Sequence, residues 1–151
     1  MDKIRLLVYE EVANSKEILF KKIAKELKET DIIISKEEFV EELDNRESVG
    51  SSLISNRIAM PHVQSTNILK SEVHIILLNT PILNWNPSEE VSIVILLALK
   101  EDEKPIKLKS VINLMKFLAS DEHTKEMLKL SVNEMSDYLY KKMKGSFEWI
   151  L

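Results

Sequence analysis

Two stretches constrain this chain more than any others. "EVHIILL" (Glu72 to Leu78) and "VSIVILLAL" (Val91 to Leu99) are almost continuously apolar. A strand with one wet face alternates polar and apolar residues. A strand without that alternation is covered on both faces, and in a domain of this size helices supply the cover. The intervening "NTPILNWNPSEE" carries Pro81, Pro87 and several asparagines. It reads as a loop, with a short edge strand at Ile82 to Trp85.

Helices flank this centre. Asn14 with Glu17 forms a capping-box start, and Leu19, Ile23 and Leu27 make one apolar face running to about Thr30. Ser35 with Glu38 repeats the signal for a helix carrying Phe39, Val40 and Leu43 and ending near Asn45 or Arg46. Leu108, Val111, Ile112, Met115 and Leu118 give an amphipathic helix. Asp121 opens a shorter one through about Leu130, and Ser131 with Glu134 caps a last helix with Met135, Leu139 and Met143. "IRLLVY" (Ile4 to Tyr9) reads as a first strand, and "RIAM" as a short strand stopped by Pro61. Between them, Ser48 to Ser55 is small and polar, a loop or short strand around Leu53. The pattern predicts an α/β fold: a mixed β-sheet with helices packed on both faces. No repeat or linker interrupts residues 1–151, so a single domain is expected.

Several function classes are excluded. A formal net charge of -4 leaves no basic footprint for nucleic acid. Glycines number only 2, at Gly50 and Gly145, too few for any glycine-rich nucleotide cradle. Cysteine is absent, which removes disulfides, thiol chemistry and thiolate metal sites and suits a reducing cytoplasm. The start of the chain lacks the pattern of a signal peptide, and no apolar run approaches the ~20 residues that span a bilayer. A soluble, cytoplasmic protein is expected.

The chemistry then falls to three histidines. His74 lies inside an apolar strand and reads as a packed residue. His123 follows Asp121 and Glu122 and reads as a solvated first-turn residue. None has metal-ligand spacing, so neither a metal nor a cofactor is expected. His62 differs, because "RIAMPH" ends a short strand on a proline that presents the imidazole. A presented neutral imidazole is a nucleophile, and on a phosphoryl group it gives phosphohistidine. The phosphoryl oxygens need cationic donors, for which Arg46 and Arg57 are nearby candidates. From the residues alone, a structural Pro-His turn remains an equal alternative.

The stretch "RESVGSSLISNRIAMPHV" resembles the active-site segment of the fructose/mannitol-type EIIA domains of the bacterial phosphoenolpyruvate-dependent sugar phosphotransferase system. The two leading helices, "PILNW", the strand Val91 to Leu99 and "KLKSVINLMKFLASDE" extend the resemblance over nearly the whole chain. It implies an EIIA mannitol-like fold and a phosphotransferase component with a phosphohistidine intermediate. His62 matches the histidine phosphorylated by HPr. Arg46 matches the arginine that contacts the phosphoryl group, with Glu47 after it; Glu47 and Arg57 are supporting candidates, although each also reads as a surface charge. The onward partner implied is an EIIB component, within reach of a membrane EIIC but without membrane insertion.

This chain departs from the family in two places. Where many members carry glycines around the strand, it has Asn56 and Val63. Where many carry a second histidine at the start of the helix Leu108 to Leu118, it has Lys107, a point charge rather than an imidazole. Domains of this type also occur in sugar-responsive transcription regulators. The alternative is therefore a regulatory module whose phosphorylation switches a partner without onward transfer. The sugar is not legible, because EIIA does not touch it.

Overall fold

A computed structural model describes residues 3–150. Its elements run β1 (Arg5–Glu11), α1 (Lys16–Glu29), α2 (Lys36–Ser48), β2 (Leu53–Ser55), β3 (Ile58–Ala59), β4 (His62–Ser65), β5 (Glu72–Ile82), β6 (Val91–Lys100), α3 (Pro105–Leu118), α4 (Asp121–Met127), α5 (Val132–Met143) and β7 (Glu148–Ile150). The strands form one mixed sheet in the order β2-β3-β6-β5-β1-β7, with β4 also on β6. β5 and β6 are its antiparallel centre, while β1 runs parallel to both β5 and β7.

The two apolar runs occupy the middle of the sheet, as their composition requires. Successive residues of β5 feed opposite cores. Ile76 and Leu78 pack with Val94 and Leu96 under α1 and α2. Val73, Ile75 and Leu77 pack with Ile93, Ile95 and Leu97 under α3, α4 and α5. α1 buries Leu19, Ile23 and Leu27 as the spacing predicts.

Several local expectations shift. α1 is capped one residue later than Asn14: Ser15 Oγ accepts from Ile18 N–H at 3.2 Å. The Ser35 cap is as expected, but α2 continues to Ser48, since nothing in its last turn breaks it. α2 is a polar helix whose only fully buried apolar side chains are Phe39 and Leu43. Each contributes about 1.5–3 kcal/mol, against about 1 kcal/mol for the cap, so burial rather than capping decides its position. Leu83 to Trp85 form a turn, not an edge strand; β5 itself reaches Ile82. α3 begins at Pro105, which suits the first turn because its missing N–H would be unpaired there. Its core stripe is Val111, Leu114 and Leu118, while Ile112 and Met115 are about half exposed. Ser131 and Glu134 form the full capping box of α5. Hydrogen bonds from its backbone and side chain hold the Glu134 carboxyl below its ordinary range.

At the edge, Pro61 has an effect the sequence reading did not anticipate. β3 and β4 both run parallel to β6, Ile58 opposite Ile93 and His62 opposite Leu97. They form one strand broken in the middle, with β2 paired to the outer side of its β3 half. Pro61 accepts from Leu97 N–H at 3.1 Å but has no N–H to return to the ladder. His62 therefore starts a strand rather than ending one.

Candidate functional site

The start of β4 lies where the two helical layers meet at the sheet edge. His62 and Gln64 point away from the α1/α2 core, whereas Val63 is buried in it. His62 lines a hollow of about 420 Å³ whose floor is Leu97, Leu99 and Val111, with Met115 at its rim. The opposite wall is Arg46, near the end of α2, and the loop from Ser51 to Ile54. The structure thus places Arg46 and His62 in one cavity, although 15 residues of helix end, loop and hairpin separate them in sequence.

The electrostatics suit a neutral imidazole. The pKa of His62 is lowered from its ordinary value of 6.5, first by partial burial and then by the positive charge of Arg46. The ring itself is exposed. No described residue hydrogen-bonds either of its nitrogens, so the tautomer-setting bond that a nucleophilic imidazole would use is not present in this state. Arg46 is held from behind, where its Nη1 donates to Gly50 C=O at 3.1 Å. Gly50 has φ +152, a conformation open to glycine.

The other candidates lie elsewhere. Glu47 is no solvated helix-end charge. It is buried, follows Phe39 and Leu43 at four-residue spacing, and accepts from Trp85 Nε1 at 2.8 Å. Lys16 Nζ approaches the same oxygen at 3.5 Å. Trp85 is 1 % exposed and belongs to the core. Arg57 occupies the hairpin turn with φ 68 and pairs with Glu90 at 2.9 Å, outside the hollow. The position that demands a glycine-like backbone is thus Arg57 itself, not Asn56. Lys107 does not line the hollow either. It sits 3.9 Å from Glu103 Oε1 and faces a separate depression of about 380 Å³ with Lys3, Lys104 and Ser110.

The remaining histidines are committed to structure. His74 is 2 % exposed, with Nε2 2.8 Å from Glu72 Oε1 and Nδ1 2.7 Å from the Tyr9 hydroxyl. Burial, and then the carboxylates Glu26, Glu11 and Glu72, push the Tyr9 phenol up, so it stays protonated and donates to Nδ1. His123 is half-buried rather than freely solvated. Its Nδ1–H donates to Phe117 C=O at 2.7 Å, and its ring stacks on Phe117 at 3.9 Å. Among the described residues no group of three His, Cys, Asp or Glu side chains could hold a metal ion. Among the described residues no helix is long and apolar enough to cross a membrane.

A mixed sheet layered by helices, with an exposed histidine and an arginine lining one hollow, defines an α/β protein with an open imidazole–guanidinium site. Residues 2–142 match the family model described as "Phosphoenolpyruvate-dependent sugar phosphotransferase system, EIIA 2", and the chain belongs to that family. No curated protein sequence matches it. Among solved structures, it is similar to nitrogen regulatory protein IIA-Ntr from Neisseria meningitidis, with 22% identity, 85% of this chain and 88% of that one covered, and a TM-score of 0.68. It is also similar to IIA mannitol from Escherichia coli, with 21% identity, coverages of 87% and 94%, and a TM-score of 0.61. A third similar structure is the Escherichia coli complex of enzyme IIAMTL with phosphorylated enzyme IIBMTL (18% identity, 89% and 94% covered, TM-score 0.60). These similarities establish the fold as EIIA mannitol-like.

Proposed function

We propose that this chain is a phosphocarrier whose acceptor is His62. The observation that carries the reading is the exposed, neutral-leaning imidazole beside Arg46 in a hollow with an apolar floor. The donor is phospho-HPr, docked against the apolar rim that Met115, and the exposed Ile112 and Val49 nearby, present to solvent. A ring nitrogen of His62 uses its lone pair to form a bond to phosphorus. The bond from phosphorus to the HPr histidine breaks, and its electron pair returns to that imidazole. Arg46 donates charge-assisted hydrogen bonds to the phosphoryl oxygens as they pass. In the onward step an EIIB cysteine thiolate attacks the same phosphorus and His62 leaves as the neutral imidazole. The structure complex of IIAMTL with phosphorylated IIBMTL supports an EIIB as the next partner.

The regulatory alternative has one observation in its favour. With Lys107 directed to Glu103, and His74 and His123 committed elsewhere, the hollow contains no second imidazole and no lysine. The scheme therefore assigns no step to Lys107, Arg57 or Glu47. Incubation with phosphoenolpyruvate, enzyme I and HPr tests the central claim. One acid-labile, base-stable phosphate on wild type and none on His62→Ala is the expected result. Label retained by the alanine variant would sink it.

A further inference from the structure

Glu47 is a buried acid one residue from the arginine that faces His62. Burying a carboxylate is costly unless it is paired and hydrogen-bonded, so its contacts reveal what it holds. One oxygen takes the Trp85 indole N–H at 2.8 Å and lies 3.5 Å from Lys16 Nζ, at the start of α1. The same indole N–H lies 3.3 Å from Ser52 Oγ, in the wall of the hollow. Ser52 C=O in turn accepts from Met60 N–H at 2.8 Å, two residues before His62. Beside it, Ser51 Oγ donates to Glu89 Oε1 at 2.8 Å, which ties the wall to the loop that carries Trp85. The second Glu47 oxygen is buried with no partner. Packing alone would favour leucine here, in register with Phe39 and Leu43. A half-satisfied carboxylate in that place is explained by what it fastens.

We infer that Glu47 is a positioning residue: through Trp85 and Ser52 it fixes the end of α2 and the wall of the hollow, and so aims Arg46 at His62. The inference rests on the phosphocarrier reading for what Arg46 then does. Neither Glu47 nor Trp85 lines the hollow, so the two act on its wall through Ser52. Charged donors work in transfer reactions only when they are held in place, and a displacement of about 1 Å can cost a hundredfold in rate.

Two readouts separate aiming from mere folding. The first is the NMR titration of the His62 ring, which senses the Arg46 charge without any phosphoryl donor. The second is the rate of labelling by phospho-HPr. Glu47→Leu removes both the acceptor and the charge. In it His62 should titrate closer to the ordinary histidine value, and labelling should slow by about ten- to a hundredfold. Glu47→Gln keeps an acceptor for the indole and should recover most of both. Trp85→Phe keeps an aromatic ring, though a smaller one, without the N–H and should move both readouts in the same direction by less. It also covers the case in which Glu47→Leu fails to fold. Folded variants with unchanged His62 titration overturn the inference, as does a glutamine variant no better than leucine. If wild type takes no phosphate at all, the phosphocarrier reading fails, while the titration still decides whether Glu47 aims Arg46.

Discussion

His62 and His74 occupy strands of one sheet and have opposite surroundings. His74 lies mid-strand in β5, with Tyr9 on one nitrogen, Glu72 on the other and Arg5 Nη1 3.1 Å from Glu72 behind it. Every polar atom of that ring is used inside the protein. His62 lies at the start of an interrupted edge strand, with no internal partner and a positive charge nearby. The same side chain is structural where its hydrogen bonds are saturated and available for chemistry where they are not. The difference comes from position in the sheet: His74 has Tyr9 on the neighbouring strand β1 and Glu72 two residues away on its own strand, whereas His62, first residue of the short outer strand β4, has no such neighbours among the described residues.

The comparison is broken most severely by exchanging the consequences. His62→Ala should abolish labelling and leave stability within about 0.5 kcal/mol of wild type, as for other surface changes. His74→Ala should do the reverse. Stranding the Tyr9 hydroxyl and thinning the Glu72 pairing should cost about 1–3 kcal/mol in chemical denaturation, with labelling retained below the unfolding transition. Lost labelling in a folded His74 variant would mean the two regions are coupled.

Arg46 comes next. Charge-assisted bonds are worth about 1.5–3 kcal/mol each, so Arg46→Ala should slow phosphorylation at least about tenfold, with Arg46→Lys recovering part. The pH dependence has a definite sign. Because the folded state lowers the His62 pKa, the neutral form persists through pH 6.5 and labelling should fall only on further acidification. The stability linked to this group is likewise complete above 6.5 and lost as pH falls through the lowered value. In Arg46→Ala the acid limb should move up, toward the ordinary histidine range. A limb that stays in place would leave burial alone as the cause.

The rim should matter less. Met115→Glu puts a charge where an apolar partner would dock and should raise the concentration of HPr needed for half-maximal labelling by a few-fold, roughly the cost of burying one unpaired charge at a wet edge. The His62 titration should hardly change. Smallest and farthest away, Ser131→Ala removes the α5 cap. It should cost about 1 kcal/mol in stability, with no change in labelling rate.

The legible parts of the fold were those where one residue type in one place has one physical consequence. β5 and β6 could be read because unbroken apolar runs have few other fates. Ser35 and Ser131 could be read because a hydroxyl three residues before an acid has a fixed geometric use. The helix stripe on α3 is legible in part: Val111 and Leu118 are buried and Leu108 packs against the same core. Ile112 and Met115 widen the apolar arc beyond what the sheet covers, and sequence does not say which side of a wide arc faces inward. β7 is three residues long, and β4 buries only Val63, so neither produces a period. At the site, His62 and Arg46 stood out through the proline and the family resemblance. Glu47 carries a signal of its own, the four-residue spacing Phe39, Leu43, Glu47. The resemblance gives Lys107 the position of a second histidine, but its ammonium lies 3.9 Å from Glu103, outside the hollow.

The two cores touch only through the sheet, yet the hollow borrows a wall from each: Arg46 rides on the α2 layer, while Val111 and Met115 ride on α3. The site is thus a seam between two cooperative units that could open separately. In native-state hydrogen exchange, opening of either helical layer would dismantle the hollow before the central strands give way, so the amides of β4 should exchange by whichever layer opens first, while those of β5 wait for the whole molecule. A site built on such a joint carries a built-in report of its scaffold's integrity: a chain partly unfolded on either side no longer holds Arg46 and His62 in one hollow.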